Sequence, residues 1–271
     1  MTDTTPVTDK WSSGDPYERY MGRWSRQLAP RFLQWVNAPL GQRWLDVGCG
    51  TGALSSAIWE ICAPSALTGV DPSAGFLAMA AERLPEQTVL HRASAGQLPL
   101  GDAEVDVAIA SLVLNFVPDT AVALAEMVRV TADEGTVAAC VWDYAGRMEM
   151  IRAYWDAAAD LGLLAPGLDE GERFPICNPD ALAAAFTACG LQQVQTAAIE
   201  IEMHFADFDD YWQPFLGGQG PAPAHATSLH DQQRSTLRDL LQRRLEANTG
   251  SPLVLHARAW AARGQVARDT A

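Results

Sequence analysis

Positive charge is scarce in this sequence. The 271 residues include 19 Lys and Arg against 33 Asp and Glu, which gives a formal net charge of −14. Proteins that bind nucleic acid neutralise backbone phosphates with clustered Lys and Arg, and the sequence shows no basic stripe. The composition therefore disfavours RNA or DNA as a partner.

Paired cysteines and long apolar runs are missing as well. The cysteines are odd in number and widely spaced, without a C-x-x-C pair, which is typical of reduced thiols in a cytoplasmic protein. They are Cys49, Cys62, Cys140, Cys177 and Cys189. No run approaches the roughly 18 apolar residues that a membrane span needs, no charged and then apolar leader opens the chain, and the histidines lack the spacing of metal ligands. We therefore expect a soluble, unexported protein with no membrane partner and no metal.

Three alternating glycines follow the first apolar segment. Gly48, Gly50 and Gly52 come directly after a predicted strand, Arg43–Val47, and a helix is predicted from about Ala53. Glycine lets the backbone turn sharply and lets a ligand approach closely, while a helix start offers unpaired N–H groups. The pattern also satisfies the G-x-G-x-x-G/A motif that places a dinucleotide pyrophosphate on a helix N-terminus. The glycines alone therefore fit two different cofactors.

Asp46, two residues before the first glycine, favours one of them. A carboxylate would repel a pyrophosphate and would oppose the helix dipole that binds it. It suits S-adenosylmethionine, which carries a sulfonium and an ammonium against a single carboxylate. Asp71 follows the apolar segment Ala66–Val70, where a carboxylate can accept both ribose hydroxyls. The sequence thus predicts S-adenosylmethionine as cofactor and S-adenosylhomocysteine as its product.

Several motifs follow one another in a set order from residue 46 to residue 135. On these motifs the chain resembles the class I S-adenosylmethionine-dependent methyltransferases (methyltransferase type 11), particularly the small-molecule group that includes the quinone-biosynthesis C-methyltransferases. The matching segments are 46–52 as the first motif, 69–73 as the ribose-binding segment, 98–107 as the approach to strand four, and 129–135 as the approach to strand five. An ordered series is far more specific than a single glycine motif.

The resemblance also implies the cofactor contacts. In similar enzymes an N-terminal helix closes over the methionine end, so Arg23 would pair with the cofactor carboxylate and Tyr20 would lie near the sulfonium. The alternative is an aromatic stripe packed on the sheet with exposed arginines. Ser94 stands where the family usually has Asp, and a hydroxyl would accept the adenine hydrogen bond more weakly than a carboxylate. The predicted set is Tyr20, Arg23, Asp46, Gly48, Cys49, Gly50, Gly52, Asp71, Pro72, Ser94, Ala95 and Ser111.

Residues that face the methyl acceptor are predicted from their positions. Methyl transfer from a sulfonium is an in-line displacement that depends on alignment and exclusion of water, so no catalytic residue is assigned. The predicted acceptor-facing residues are Asn115, Asp143, Tyr144, Arg173 and Trp212. The alternatives are turn or cap roles for the polar residues and core packing for the aromatic ones.

Predicted strands alternate with predicted helices, which indicates an α/β fold with a Rossmann-like, doubly wound sheet. The resemblance implies seven mostly parallel strands with the last one antiparallel. We expect a mobile tail over 1–14, an N-terminal helical cap over 15–40, and a methyltransferase domain over 41–271 with a helical insertion at about 205–250. Strands four, five and seven are expected near 105–110, 136–142 and 253–262.

The sequence therefore predicts a cytoplasmic methyltransferase that acts on a small, partly apolar molecule at O, C or N. Two alternatives stay open: an NAD-dependent oxidoreductase, which Asp46 disfavours, and a cofactor-binding protein of the same fold that does not transfer methyl groups. The insertion at 205–250 fits a lid as well as a homodimer contact.

Overall fold

The computed structural model describes residues 17–218, 220–246 and 250–267. The predicted mobile tail over 1–14 lies outside these ranges. Within them, seven strands form one sheet: β1 (Arg43–Val47), β2 (Ala66–Val70), β3 (Val89–His91), β4 (Val105–Ser111), β5 (Thr131–Trp142), β6 (Gln192–Phe205) and β7 (Leu253–Gln265). The strand order is β3-β2-β1-β4-β5-β7-β6.

The pairing of the strands has the polarity that was predicted. The strands β3, β2, β1, β4 and β5 are joined by parallel pairs. The last strand, β7, pairs antiparallel with both β5 and β6. The prediction of a Rossmann-like sheet with seven strands and an antiparallel last strand is therefore confirmed. This topology brings the carboxyl ends of β1, β2 and β4 to one edge, where ligands bind in such sheets.

Helices pack around the sheet and connect its strands. They are α1 (Arg23–Val36), α2 (Ala53–Cys62), α3 (Ala74–Arg83), α4 (Thr120–Val130), α5 (Glu149–Asp160), α6 (Glu170–Arg173), α7 (Pro179–Ala188), α8 (Phe208–Trp212), α9 (Pro221–Ser228) and α10 (Asp231–Arg244). A π-helical turn, Glu18–Gly22, precedes α1. Local sequence sets several helix starts; for example, the Ser73 hydroxyl accepts a hydrogen bond from the Phe76 N–H, and Asn178 caps a helix that begins with Pro179.

Some strand boundaries differ from those predicted. β5 begins at Thr131 instead of near Thr136, because α4 ends directly before it and the pairing with β4 shifts register in between. β7 continues to Gln265 because it pairs with β6 as far as Gln192. No described helix is long and apolar enough to cross a membrane.

The insertion packs into the protein through its aromatic side chains. The rings of these residues contact one another and those of residues from the N-terminal segment and α5. We call this set the aromatic cluster: Tyr20, Trp24, Tyr154, Phe205, Phe208, Tyr211, Trp212 and Phe215. All eight are buried. The cluster therefore anchors the insertion to the N-terminal helix and forms part of the core.

Candidate functional site

A cavity of about 530 Å³ opens at the carboxyl ends of β1, β2 and β4. Its lining residues come from four segments, 48–54, 70–76, 93–96 and 111–122, together with Tyr17, Ser25 and Asp46. This volume lies in the range of small-molecule and cofactor sites. The sheet topology and the glycine turn thus build a ligand-sized cavity where the sequence predicted one.

The glycines of the turn serve different purposes. Gly48, Gly50 and Gly52 all have positive φ, at 71°, 53° and 89°. A Cβ at Gly48 would lie 2.4 Å from the Val113 side chain, and one at Gly52 would lie 3.2 Å from Leu84. A Cβ at Gly50 would meet nothing nearer than 4.0 Å. Gly48 and Gly52 therefore allow close packing, whereas Gly50 leaves the cavity wall open.

Asp71 holds the glycine turn against the end of β2. Its Oδ2 accepts a hydrogen bond from the Gly50 N–H at 3.0 Å, and its Oδ1 accepts one from the Ser73 N–H at 2.8 Å. Burial raises the pKa of this carboxyl, and the two backbone N–H groups act against that rise. Each carboxylate oxygen has a second acceptor site, so Asp71 can still accept hydrogen bonds from a ligand's hydroxyls.

Asp46 is an uncompensated buried carboxylate. It is 1% exposed, lines the cavity, and accepts a hydrogen bond from the Ser55 hydroxyl at 2.6 Å. Among the described residues, no Lys, Arg or His forms an ion pair with it. Burial, with a further contribution from the Asp71 charge, raises the pKa of Asp46 to about 7. A buried charge without a partner is costly, so this site favours a cationic ligand.

Most predicted cofactor residues line the cavity. They are Asp46, Gly48, Cys49, Gly50, Asp71, Pro72, Ser94, Ala95 and Ser111. Gly52 does not line it. Cys49 is buried, and desolvation raises the pKa of its thiol, so it is a small lining residue without thiolate character.

Tyr20 and Arg23 are corrections, because the structure does not bring them to the cavity. Arg23 Nη1 donates to both carboxylate oxygens of Asp210, at 2.8 and 3.0 Å, and its guanidinium lies over the rings of Trp24 and Phe205. Tyr20 is buried in the aromatic cluster, 5.5 Å from the Phe215 ring. Both residues join the N-terminal segment to the insertion, which the sequence could not show because the partners are remote along the chain.

The N-terminal segment reaches the cavity through other residues. Tyr17 and Ser25 line it, and the Tyr17 ring lies 5.3 Å from that of Phe76. Glu18 joins this segment to the glycine turn, because its carboxylate accepts hydrogen bonds from the Thr51 hydroxyl, from Arg26, and from Arg83 Nη1 at 2.8 Å.

The environment of Glu18 keeps its carboxylate charged. Burial by itself raises its pKa, but the hydrogen bonds from Thr51, Arg26 and Arg83 hold the pKa below its usual value. A Cβ at Gly22 would lie 2.8 Å from the Glu18 carboxyl group. The π-helical turn and Gly22 therefore give this carboxylate the room to reach the glycine turn.

The five predicted acceptor-facing residues do not line the cavity. Asp143 is a loop cap: it accepts hydrogen bonds from the Gly146 and Arg147 N–H groups, and the Arg258 guanidinium binds it at 2.7 Å. Trp212 belongs to the aromatic cluster, and Tyr144 is buried. The alternative roles of cap and core are the ones that the structure shows for Asp143 and Trp212.

The remaining two residues each lie next to an aromatic residue in the sequence. Arg173 lies over the Phe174 ring, 4.9 Å from its centre. Asn115 precedes the lining residue Phe116, is 8% exposed, and neither atom of its side-chain amide has a hydrogen-bond partner among the described residues. Asn115 was predicted to face the methyl acceptor, and its surroundings leave its polar side-chain atoms without hydrogen-bond partners within the described ranges.

Comparison with known proteins identifies a methyltransferase domain within the chain. Residues 45–139 match the family model of a methyltransferase domain. The chain is 30% identical over 143 residues to the malonyl-[acyl-carrier protein] O-methyltransferase of Serratia marcescens, a match that spans 51% of this chain and 55% of that protein. The chain thus covers little more than half the length of this curated relative.

Solved structures share the fold over most of the chain. The YcgJ protein of Bacillus subtilis aligns with a TM-score of 0.56 at 16% identity, over 91% of this chain and 99% of that one. Phosphoethanolamine N-methyltransferase 2 of Haemonchus contortus, solved with S-adenosyl-L-methionine, aligns with a TM-score of 0.53 at 13% identity, over 91% of this chain and 53% of that one.

Residues 45–139 of the chain thus match a methyltransferase domain, and the chain has the fold of the class I S-adenosylmethionine-dependent methyltransferases. S-adenosylmethionine is the cofactor of this family, and the residues of the cavity fit it. A cationic nucleoside suits the open wall at Gly50, the free acceptor sites of Asp71 and the unpaired charge of Asp46. A dinucleotide pyrophosphate does not, because Asp46 would repel it.

Ionisation of Asp46 should control cofactor affinity in this protein. A cationic ligand favours the charged carboxylate, so the affinity for S-adenosylmethionine should rise as pH increases from 6 to 8, through the pKa of about 7. Asp46→Asn should lose about tenfold in affinity and the pH dependence with it, as expected for a hydrogen bond to a charged group. Isothermal titration calorimetry across this pH range measures both effects, and an unchanged pH profile in the variant would contradict the role of Asp46.

The same carboxyl should affect the stability of the protein without ligand. Its pKa is about 7 in the folded state against 3.8 for an ordinary Asp, so the folded state keeps a proton that the unfolded chain releases. The free energy of unfolding should therefore fall as pH rises between these two values. Asp46→Asn should reduce this slope, which thermal unfolding at a series of pH values measures.

Alanine substitutions at two of the glycines should distinguish a role in packing from a role in ligand access. Gly50→Ala places its methyl group in open space at the cavity wall, so it should cost about 1–2 kcal/mol of stability for its positive φ and weaken S-adenosylhomocysteine binding. Gly48→Ala adds a collision with Val113 and should destabilise the fold more. Thermal unfolding and calorimetry make the comparison; wild-type affinity in Gly50→Ala would exclude close approach of the ligand there.

The Glu18 contacts should slow the dissociation of S-adenosylhomocysteine, the product formed from the cofactor. Glu18→Ala frees the N-terminal turn from Thr51 and Arg83, so S-adenosylhomocysteine should dissociate about tenfold faster, equivalent to about 1.4 kcal/mol. Arg23→Ala is the matched control, because it breaks an ion pair of the same segment far from the glycine turn. Stopped-flow measurements give the rates, and equal acceleration in both variants would show general loosening of the segment.

Proposed function

We propose that the protein transfers a methyl group from S-adenosylmethionine, by direct in-line displacement, to a small and partly apolar acceptor at O, C or N. The observation that carries this proposal is the unpaired Asp46 carboxylate beside the open wall at Gly50. We further propose that the reaction takes place in the cytoplasm. The homodimer stays a prediction.

The residues of the cavity would bind and orient the cofactor. Asp71 would accept the ribose hydroxyls, Asp46 would offset positive charge, and Ser94 and Ala95 would lie along the adenine. When bound, S-adenosylmethionine supplies a methyl group whose leaving group is already activated. The chain then has to align the acceptor and keep water out, which is the main contribution an enzyme can make to such a displacement.

The wall beyond β4 supplies the apolar surroundings that such an acceptor needs. Leu112, Val113, Phe116 and Val117 line this side of the cavity. Leu112 has a positive φ of 63°, and its N–H donates to the Cys140 carbonyl at 2.8 Å, so the chain turns sharply at the end of β4. Strained residues of this kind are concentrated at functional sites. The apolar wall supports an acceptor with substantial apolar surface.

Transfer of a labelled methyl group tests the proposal. The purified protein should carry S-adenosylmethionine or S-adenosylhomocysteine in native mass spectrometry. With cofactor labelled in its methyl group, a panel of small amines, phenols and enols should yield at least one labelled product that an organic solvent extracts. Asp46→Asn should lose at least about tenfold of this activity at limiting cofactor.

Two outcomes would contradict the proposal in different ways. Uptake of a nicotinamide dinucleotide in place of S-adenosylmethionine would overturn the cofactor. Tight binding of S-adenosylmethionine without any transfer across the panel would indicate a cofactor-binding protein of this fold.

A further inference from the structure

Burial divides the cavity into an inner end and a mouth. At the inner end Asp46 is 1% exposed and Asp71 is 7% exposed. The lining residues that are exposed form the mouth: Pro72, Ser94, Gly96, Pro118, Asp119 and Val122. Asp46 suits the positive charge of S-adenosylmethionine and Asp71 suits its ribose, so the adenine would lie at the mouth.

Ser94 by itself is a poor selector of adenine. Class I methyltransferases usually place an aspartate where this chain has Ser94. A carboxylate only accepts hydrogen bonds, whereas a hydroxyl can either donate or accept. Ser94 can therefore bind the 6-amino group of adenine and the 6-oxo group of hypoxanthine equally well, and it does not discriminate between these two bases.

A different carboxylate lies at the same mouth. Asp119 precedes α4 and caps it, because its Oδ1 accepts a hydrogen bond from the Val122 N–H at 3.1 Å. Among the described residues, Asp119 has no ion-pair partner and its side chain makes no other hydrogen bond. The second carboxylate oxygen of Asp119 therefore keeps its acceptor sites for a ligand.

Packing holds the start of α4 beside the segment that contains Ser94. A Cβ at Gly96, two residues after Ser94, would lie 3.4 Å from the Val122 side chain. Val122 is also the residue whose N–H binds the Asp119 carboxylate. Asp119 thus lies within one helical turn of this contact, and Asp119 and Ser94 border the same mouth.

Apolar residues of the mouth suit the faces of a flat base. Val117 and Pro118 come from the segment before α4, whereas Pro72 and Ala93 come from the segments that follow β2 and β3. Ligand sites of this kind are mainly apolar, and a few polar groups in them fix the orientation of the ligand. Asp119 is a polar group of this kind at the mouth.

We propose that Asp119 selects adenine by accepting a hydrogen bond from its 6-amino group, in place of the aspartate that is absent at position 94. A 6-oxo base would instead present an oxygen acceptor to the carboxylate, and the two would repel each other. The assignment concerns the cofactor alone, so it goes beyond the proposed methyl transfer and holds for any acceptor.

Two ligands that differ only at purine position 6 test this assignment. S-adenosylhomocysteine has an amino group there, and S-inosylhomocysteine has an oxo group. Isothermal titration calorimetry gives the affinity of the protein for each. The wild-type protein should bind S-adenosylhomocysteine at least about fivefold more tightly, as expected for one hydrogen bond at a site that is open to water.

Variants should assign the preference to one side chain. Asp119→Asn keeps the helix cap, because asparagine caps a helix as well as aspartate does, and its amide can also donate, so the preference should be lost. Asp207→Asn is the matched control: Asp207 also caps a helix, with the Asp210 N–H at 3.0 Å, and does not line the cavity. Asp207→Asn and Ser94→Ala should both keep the preference.

The outcomes separate this inference from the proposed function. Equal affinity for the two ligands in the wild type, or an unchanged preference in Asp119→Asn, would overturn the role of Asp119. Loss of the preference in Ser94→Ala would overturn it as well. Each of these results leaves the proposed methyl transfer in place, provided that S-adenosylhomocysteine binds. If neither ligand binds, both proposals fall.

Discussion

The structure depends on two buried carboxylates at the tips of neighbouring parallel strands. Asp71 is satisfied by backbone N–H groups of Gly50 and Ser73, whereas Asp46 is hydrogen-bonded to Ser55 and has no ion-pair partner among the described residues. Charge burial of this kind lowers stability unless a ligand provides the compensation. The protein without cofactor is therefore poised for a cation, and the glycine turn is held open where that cation has to approach.

The N-terminal segment contributes Tyr17 and Ser25 to the cavity lining and also packs against the insertion. The segment and the insertion are joined by the ion pair between Arg23 and Asp210 and by the aromatic cluster, while Glu18 fastens the same segment to the glycine turn. Packed rings and ion pairs hold this segment, and the residues that it contributes to the cavity, in a fixed position. This matters for methyl transfer, because the displacement depends on alignment in a dry site far more than on a catalytic side chain.

The sequence was sufficient wherever a residue acts with its neighbours in the chain. The strand, the three glycines and Asp46 lie within ten residues of one another, so their positions relative to the helix start follow from local geometry. Asp71 could be placed because parallel strands end at one edge of a sheet. Tyr20 and Arg23 could not, because an amphipathic helix has the same pattern whether its aromatic face meets a ligand or an insertion; here the partner of Arg23 is 187 residues away.

By itself, the sequence determined the α/β alternation, the cradle for the cofactor and the sign of the charge it prefers, since each depends on short-range backbone geometry and on residue type. Only the tertiary structure decided which side chains reach the cavity. It placed Glu18 on Thr51, turned Asp143 into a loop cap, and left Asn115 unsatisfied behind Phe116. These outcomes follow from packing between segments that are remote in sequence. There, the role of each side chain is set by its burial and by the competition for hydrogen-bond partners, and no local sequence pattern records either of them.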